Sequence, residues 1–179
     1  MPVTKPFRAV TIAALLTAIA LLASSATASA RACPGAGSKR LSKGTAGIVV
    51  FCLVNRERTK RGLAPLQPSF RLGKVARVHA GDMVRYRFLG HHSPPRGGLV
   101  KRVKRSGYGR SRGFAVGEIL AYGSGRYSRP AWIVRQWMKR PIHRKAILYP
   151  TFRFMGVGLA RGMPTRKRAG RSFVVTFAS

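Results

Sequence analysis

The sequence predicts a mixed α+β domain, arranged as a three-layer α/β/α sandwich around an antiparallel sheet. Three observations carry that reading. Leu72, Val75, Ala76, His79, Ala80 and Met83 recur at the i, i+3, i+4, i+7, i+8, i+11 spacing of an amphipathic helix. Short apolar runs at 116–122, 154–160 and 172–177 have the length and residue choice of strands. Helices and strands follow one another without the regular alternation that a Rossmann-type parallel sheet requires.

The chain opens with a stretch that does not belong to that domain. Lys5 and Arg8 give a basic start, Ala9 to Ala23 is apolar except for Thr11 and Thr17, and Ala28-Ser29-Ala30 supplies a small-x-small cleavage pattern. Residues 1–30 therefore read as a secretory signal peptide. The rival reading is a retained anchor, but the apolar run is short against the roughly 20 residues of a bilayer span. Removal of the leader would leave one domain's worth of chain. It consists of an irregular arm at 31–44, marked by Pro34, Gly35, Gly37 and Gly44, and a folded unit at 45–179 with no further transmembrane span.

Within that unit each element has a local reason. A helix is expected from Thr45 to Arg61, with Ile48, Val49, Cys52 and Leu53 on its apolar stripe and Gly62 as a stop. Pro65 and Pro68 mark a turn, and Ser69 caps the amphipathic helix. Leu99 and Val103 suggest a short basic helix ending at Gly107. After the strand at 116–122, Ser128 is expected to cap a helix carrying Ala131, Val134, Trp137 and Met138, and Pro141 to start a further turn through Leu148. The last two strands are joined by a basic hairpin loop from Gly162 to Gly170.

Charge is the dominant compositional fact. The chain has 35 Lys and Arg against 3 acids and a net charge of +32, and loss of Lys5 and Arg8 with the leader would lower it to +30. Such a surface attracts polyanions in a salt-sensitive way. For an exported protein these are cell-envelope polymers or anionic lipids. Nucleic acid is disfavoured, because no nucleic-acid motif accompanies the charge. Two cysteines in an exported chain suggest one disulfide, Cys33–Cys52, pinning the arm to the first helix. A reactive thiol is the alternative.

Five segments carry the chemistry-bearing residues. They are Leu53-Val54-Asn55-Arg56-Glu57-Arg58, His79-Ala80-Gly81-Asp82-Met83, Phe88-Leu89-Gly90-His91-His92-Ser93-Pro94, Gly117-Glu118-Ile119-Leu120-Ala121-Tyr122-Gly123, and Trp137-Met138 through Pro141-Ile142-His143-Arg144-Lys145-Ala146-Ile147-Leu148. In this order, and with the late Gly156-Val157-Gly158 strand, the set resembles the bacterial branch of the CAP superfamily, the SCP-like or cysteine-rich secretory proteins. The resemblance covers about residues 50–178. It implies an α/β/α sandwich with a central antiparallel sheet and a shallow cleft lined by histidines and glutamates. By position, the cleft residues fall on His91, Glu118 and His143.

The sequence departs from that pattern in places. Ile119 stands where the family usually has Asn, and Ile142 where it has Gly. A second glutamate of eukaryotic members has no counterpart, since Lys139 and Arg140 occupy that stretch. Two imidazoles and one carboxylate can hold a divalent metal such as zinc, or act as an acid/base pair near neutral pH. Two functions follow. One is a secreted, monomeric binding module for an anionic envelope or lipid partner. The other is a metal-assisted extracellular hydrolase using His91, Glu118 and His143.

The remaining polar residues have structural readings. His79 sits on the apolar face of its helix, as a hydrogen-bonded core histidine would. His92 could replace His91 if the register slips by one. Asp82 and Glu57 are expected to pair with nearby arginines. Ser93 has no base in its sequence context, and Gly123-Ser124-Gly125 lacks the Lys-Ser/Thr of a phosphate loop.

Overall fold

The computed structural model describes residues 32–109, 114–165 and 169–179. The signal peptide expected at 1–30, its expected cleavage before Arg31 and part of the Gly162–Gly170 loop lie outside the described residues. The elements are α1 (Lys43–Thr59), β1 (Gln67–Pro68), α2 (Phe70–Arg85), α3 (Leu99–Arg105), β2 (Val116–Gly123), α4 (Pro130–Lys139), α5 (Pro141–Ile147), β3 (Phe154–Arg161) and β4 (Arg171–Ala178). The sheet order is β1-β3-β4-β2. Its three long strands are antiparallel to their neighbours, and the two-residue β1 runs parallel to β3.

Strand periodicity separates the layers. Phe173, Val175 and Phe177 of β4 face one side, with Ile119, Met155 and Leu159, and pack against Val49, Val50 and Leu53 of α1 and Ile133 and Trp137 of α4. Val174 and Ala178 face the other side, against α2 and α3. The result is the three-layer sandwich, with α1, α4 and α5 on one face and α2 and α3 on the other.

The Gly156-Val157-Gly158 run has a packing reason. A Cβ on Gly156 would lie 2.0 Å from the Gly73 nitrogen, and one on Gly158 would lie 2.0 Å from the Arg77 nitrogen. The backbone of α2 therefore rests directly on β3, and only glycine leaves it room. Close seating of α2 fixes the height of its side chains above the sheet.

Ser69 caps α2 as expected, accepting from the Leu72 N–H. Three details differ from the sequence reading. α1 starts at Lys43 under a Ser42 cap, because the Ser42 hydroxyl accepts the Thr45 N–H. Ile48 is 71 % exposed, since the buried stripe of α1 runs through Ala46, Val49, Val50, Leu53 and Val54. Ser128 does not cap α4. It closes a 3₁₀ turn at Gly125–Ser128 by donating to the Gly125 carbonyl, and α4 starts at Pro130 with its fixed φ.

Cys33 and Cys52 form the disulfide, which ties the arm to α1. The arm is held further by the Ala131 N–H donating to the Ala36 carbonyl and by Arg171 donating to the carbonyls of Lys39 and Leu41.

Candidate functional site

β2 is an edge strand, and Glu118 projects from it toward the α2 and α3 layer, in register with Thr176 and Gly156. A carboxylate there is buried and must be compensated. Arg102 of α3 does this. Its Nη1 donates to Oε2 at 2.9 Å and its Nη2 to Oε1 at 3.0 Å, a two-pronged pair. The same Nη2 donates to the His91 carbonyl at 2.8 Å, and Nε to the Gly97 carbonyl at 3.2 Å. One guanidinium thus fastens both ends of the 91–97 loop to the sheet.

His91 and Glu118 are brought together. The His91 Nδ1–H donates to Glu118 Oε1 at 2.9 Å, while most of the ring stays exposed. This contact directs Nε2 away from the carboxylate. His92, the alternative by register, is exposed and makes no such contact among the described residues. Burial would raise the Glu118 pKa, but the hydrogen bonds from His91 and Arg102 and the Arg102 charge outweigh it. The carboxyl is held below the ordinary carboxylate value.

His79 enters the same cluster from α2. It is fully buried, and its Nε2–H donates to the Gly90 carbonyl at 2.9 Å, 3.6 Å from Glu118 Oε1. Its Nδ1 is buried without a partner among the described residues. Burial lowers its pKa, and the nearby Arg102 charge lowers it further against the opposing pull of Glu118. The neutral ring is a support under the Gly90 turn, as the core reading expected, and also borders the site.

His143 approaches from the other layer. It lies on α5, beside a cavity of about 340 Å³ at the β2 edge that Leu120, Tyr122, Trp137 and Arg140 also line. Burial, then the charges of Arg140 and His91, lower its pKa. It therefore shares an electrostatic field with His91, but no hydrogen bond joins it to Glu118 or His91 among the described residues. Trp137 secures this wall by donating its indole N–H to the Leu120 carbonyl at 2.9 Å.

Two supporting arginines had no distinguishing mark among 35 basic residues. Arg102 is one. Arg58 is the other: it is 1 % exposed and donates to the carbonyls of Ala64, Ile147 and Tyr149, anchoring the C-terminal end of α5, the helix whose first turn carries His143. The usable signal was indirect, because a buried Glu118 demands a cation nearby.

A second network flanks the first. Asp82 accepts from Ser93 Oγ at 2.6 Å and from Arg96 Nη1 at 2.5 Å. Ser93 is fully buried and bound to a carboxylate without a histidine between them, so it is not arranged as a nucleophile. Glu57 pairs with Arg61 at 2.7 Å, four residues on and just past the end of α1.

A divalent ion shared by His91, Glu118 and His143 does not fit this arrangement. Both Glu118 oxygens are taken by a guanidinium, whose charge would oppose the ion. No group of three His, Cys, Asp or Glu side chains among the described residues is placed to hold a metal.

Comparison with known proteins agrees with the fold and with the motif order. The profile of the cysteine-rich secretory protein family, CAP, matches residues 51–178. The Bacillus subtilis protein YkwD is 38 % identical over 106 residues, which are 59 % of this chain and 39 % of that protein. The Bacillus subtilis membrane protein YlbC is 32 % identical over 112 residues, 63 % of this chain and 31 % of that protein. The chain thus spans well under half the length of these relatives. Among solved structures, an extracellular Bacillus anthracis protein containing an SCP domain superposes with a TM-score of 0.60 at 24 % identity, covering 78 % of this chain and 44 % of that one. An outer surface protein of Borrelia burgdorferi gives 0.63 at 21 % identity, covering 78 % and 96 %. These structural likenesses show the fold, and with the family match over most of the described sequence they lead to one conclusion: the chain belongs to the cysteine-rich secretory protein (CAP) family.

Proposed function

We propose that this CAP domain is an extracellular binding module for anionic polymers or lipids of the cell envelope. One observation carries the reading. All three acids are neutralised within the fold, Glu57 by Arg61, Asp82 by Arg96 and Glu118 by Arg102. The surplus of basic side chains behind the +32 charge therefore meets no opposing carboxylate. A surface of one sign accumulates phosphate-bearing partners and releases their counterions. The leader-like start, the disulfide and the extracellular or surface placement of the structural neighbours support a location outside the cell.

The hydrolase reading finds less support. His91 and Glu118 could orient a base, but the carboxylate is engaged by Arg102 and Ser93 is bound to Asp82. The test is cosedimentation of residues 31–179 with vesicles of phosphatidylglycerol and of phosphatidylcholine, alongside a poly(glycerol phosphate) column. Retention by the anionic matrices alone supports the proposal. Equal retention by phosphatidylcholine, or none by either anionic matrix, overturns it.

A further inference from the structure

On the opposite side of the molecule from Glu118, the sheet ends in an open strand. β1 pairs only with Phe154 and Met155, whereas β3 continues to Arg161. No strand covers the rest of that edge among the described residues. The Gln67 N–H donates to the Arg153 carbonyl and the Ser69 N–H to the Met155 carbonyl. Alternate residues of a strand present their backbone groups to the same edge. Val157 and Leu159 therefore offer the next N–H and C=O groups outward.

Those groups line the floor of a groove of about 690 Å³ between α1 and α2. Its walls carry two of the most exposed apolar side chains, Ile48 at 71 % and Phe70 at 82 %. The α1 wall is cut back by Gly44 and Gly47. A Cβ on Gly47 would meet Leu159 Cδ1 at 3.6 Å, an ordinary contact, and one on Gly44 would meet nothing closer than 3.8 Å. Packing therefore does not require glycine at either place, although glycine weakens a helix relative to alanine. What the two glycines do is keep the groove wide.

We propose that this groove binds an extended, acidic peptide segment of a partner protein, which adds to β3 as a further strand. An exposed ladder of N–H and C=O groups is complementary to another backbone and not to an acyl chain. The apolar walls accept alternate side chains of the added strand. Lys43 and Arg77, the charged residues of the groove, select carboxylates. The same two residues disfavour a second copy of this chain, which would bring identical cations and a second strongly basic domain to the edge.

The experiment uses residues 31–179 and a fluorescein-labelled peptide, Glu-Val-Thr-Val-Thr-Val-Glu, read by anisotropy. Its controls are a Lys-ended peptide and a version N-methylated on alternate amides, which keeps the charge but cannot pair along one edge. Saturable binding that weakens at least about tenfold on N-methylation is expected, as for loss of two or more hydrogen bonds. The Gly47→Leu variant should weaken it similarly while its circular dichroism is unchanged. Equal affinity for the N-methylated peptide would mean general attraction of an acidic molecule to a basic protein, and would overturn the proposal. No binding up to about 1 mM, a scale equal to a few kcal/mol, would overturn it too. So would a tighter complex with the Lys-ended peptide, or self-association in sedimentation that Gly47→Leu abolishes. Vesicle binding does not depend on this edge, so failure here leaves the envelope-binding result standing.

Discussion

Arg102 and Glu118 form a two-pronged ion pair across 16 residues of sequence, with both side chains almost wholly removed from solvent. The pair joins α3 to the β2 edge, and through the His91 carbonyl it joins both to the loop that presents His91. Its partners cannot be removed independently. Arg102→Met should cost about 3–5 kcal/mol, because it strands a buried carboxylate. Arg102→Met combined with Glu118→Leu should recover most of that loss. Urea denaturation of the three variants checks this, and a double variant as unstable as the sum of the singles would contradict the pairing.

Acid should weaken the fold in two phases. His79 and His143 have folded pKa values below the ordinary 6.5, chiefly through burial. Their contribution is complete above that value and is lost as pH falls through their folded values. Burial pushes the Glu118 pKa up, but its hydrogen bonds and the Arg102 charge hold it below the ordinary 4.5. Its contribution is therefore present above 4.5 and lost at still lower pH. Unfolding free energy should be level above about pH 7 and decline first through the histidine range. His79→Gln should reduce that first decline. A wild-type profile level from about pH 7 to pH 4 would contradict the assignment.

Two glycine substitutions should have opposite signs. Gly158→Ala drives a methyl into the backbone of α2 at Arg77 and should cost about 3 kcal/mol or more. Gly47→Ala meets Leu159 and Val157 at ordinary contact distance and should stabilise by about 0.5–1 kcal/mol through helix propensity. Thermal unfolding of both distinguishes a packing glycine from a groove glycine.

What the sequence made legible follows from how local each signal is. The α2 stripe, the Ser69 cap and the three long strands were readable, because each rests on periodicity or on a neighbouring residue. Ile48 was misplaced because its apolar character fits the stripe of α1 while the layer it would face is absent there. Ser128 was misread because Pro130 fixes the start of α4 by its ring. His91 and Glu118 were found through motif order. Arg102 and Arg58 were not, because their roles are set by buried partners 16 and 89 residues away.

Attraction of the uncompensated basic surface to an anionic envelope partner is read from the salt dependence of binding to poly(glycerol phosphate), measured by fluorescence titration of residues 31–179. The logarithm of affinity should fall linearly with the logarithm of salt, and by about a thousandfold or more between about 50 and 200 mM if several phosphates are neutralised. An affinity that stays level across that range would contradict the account.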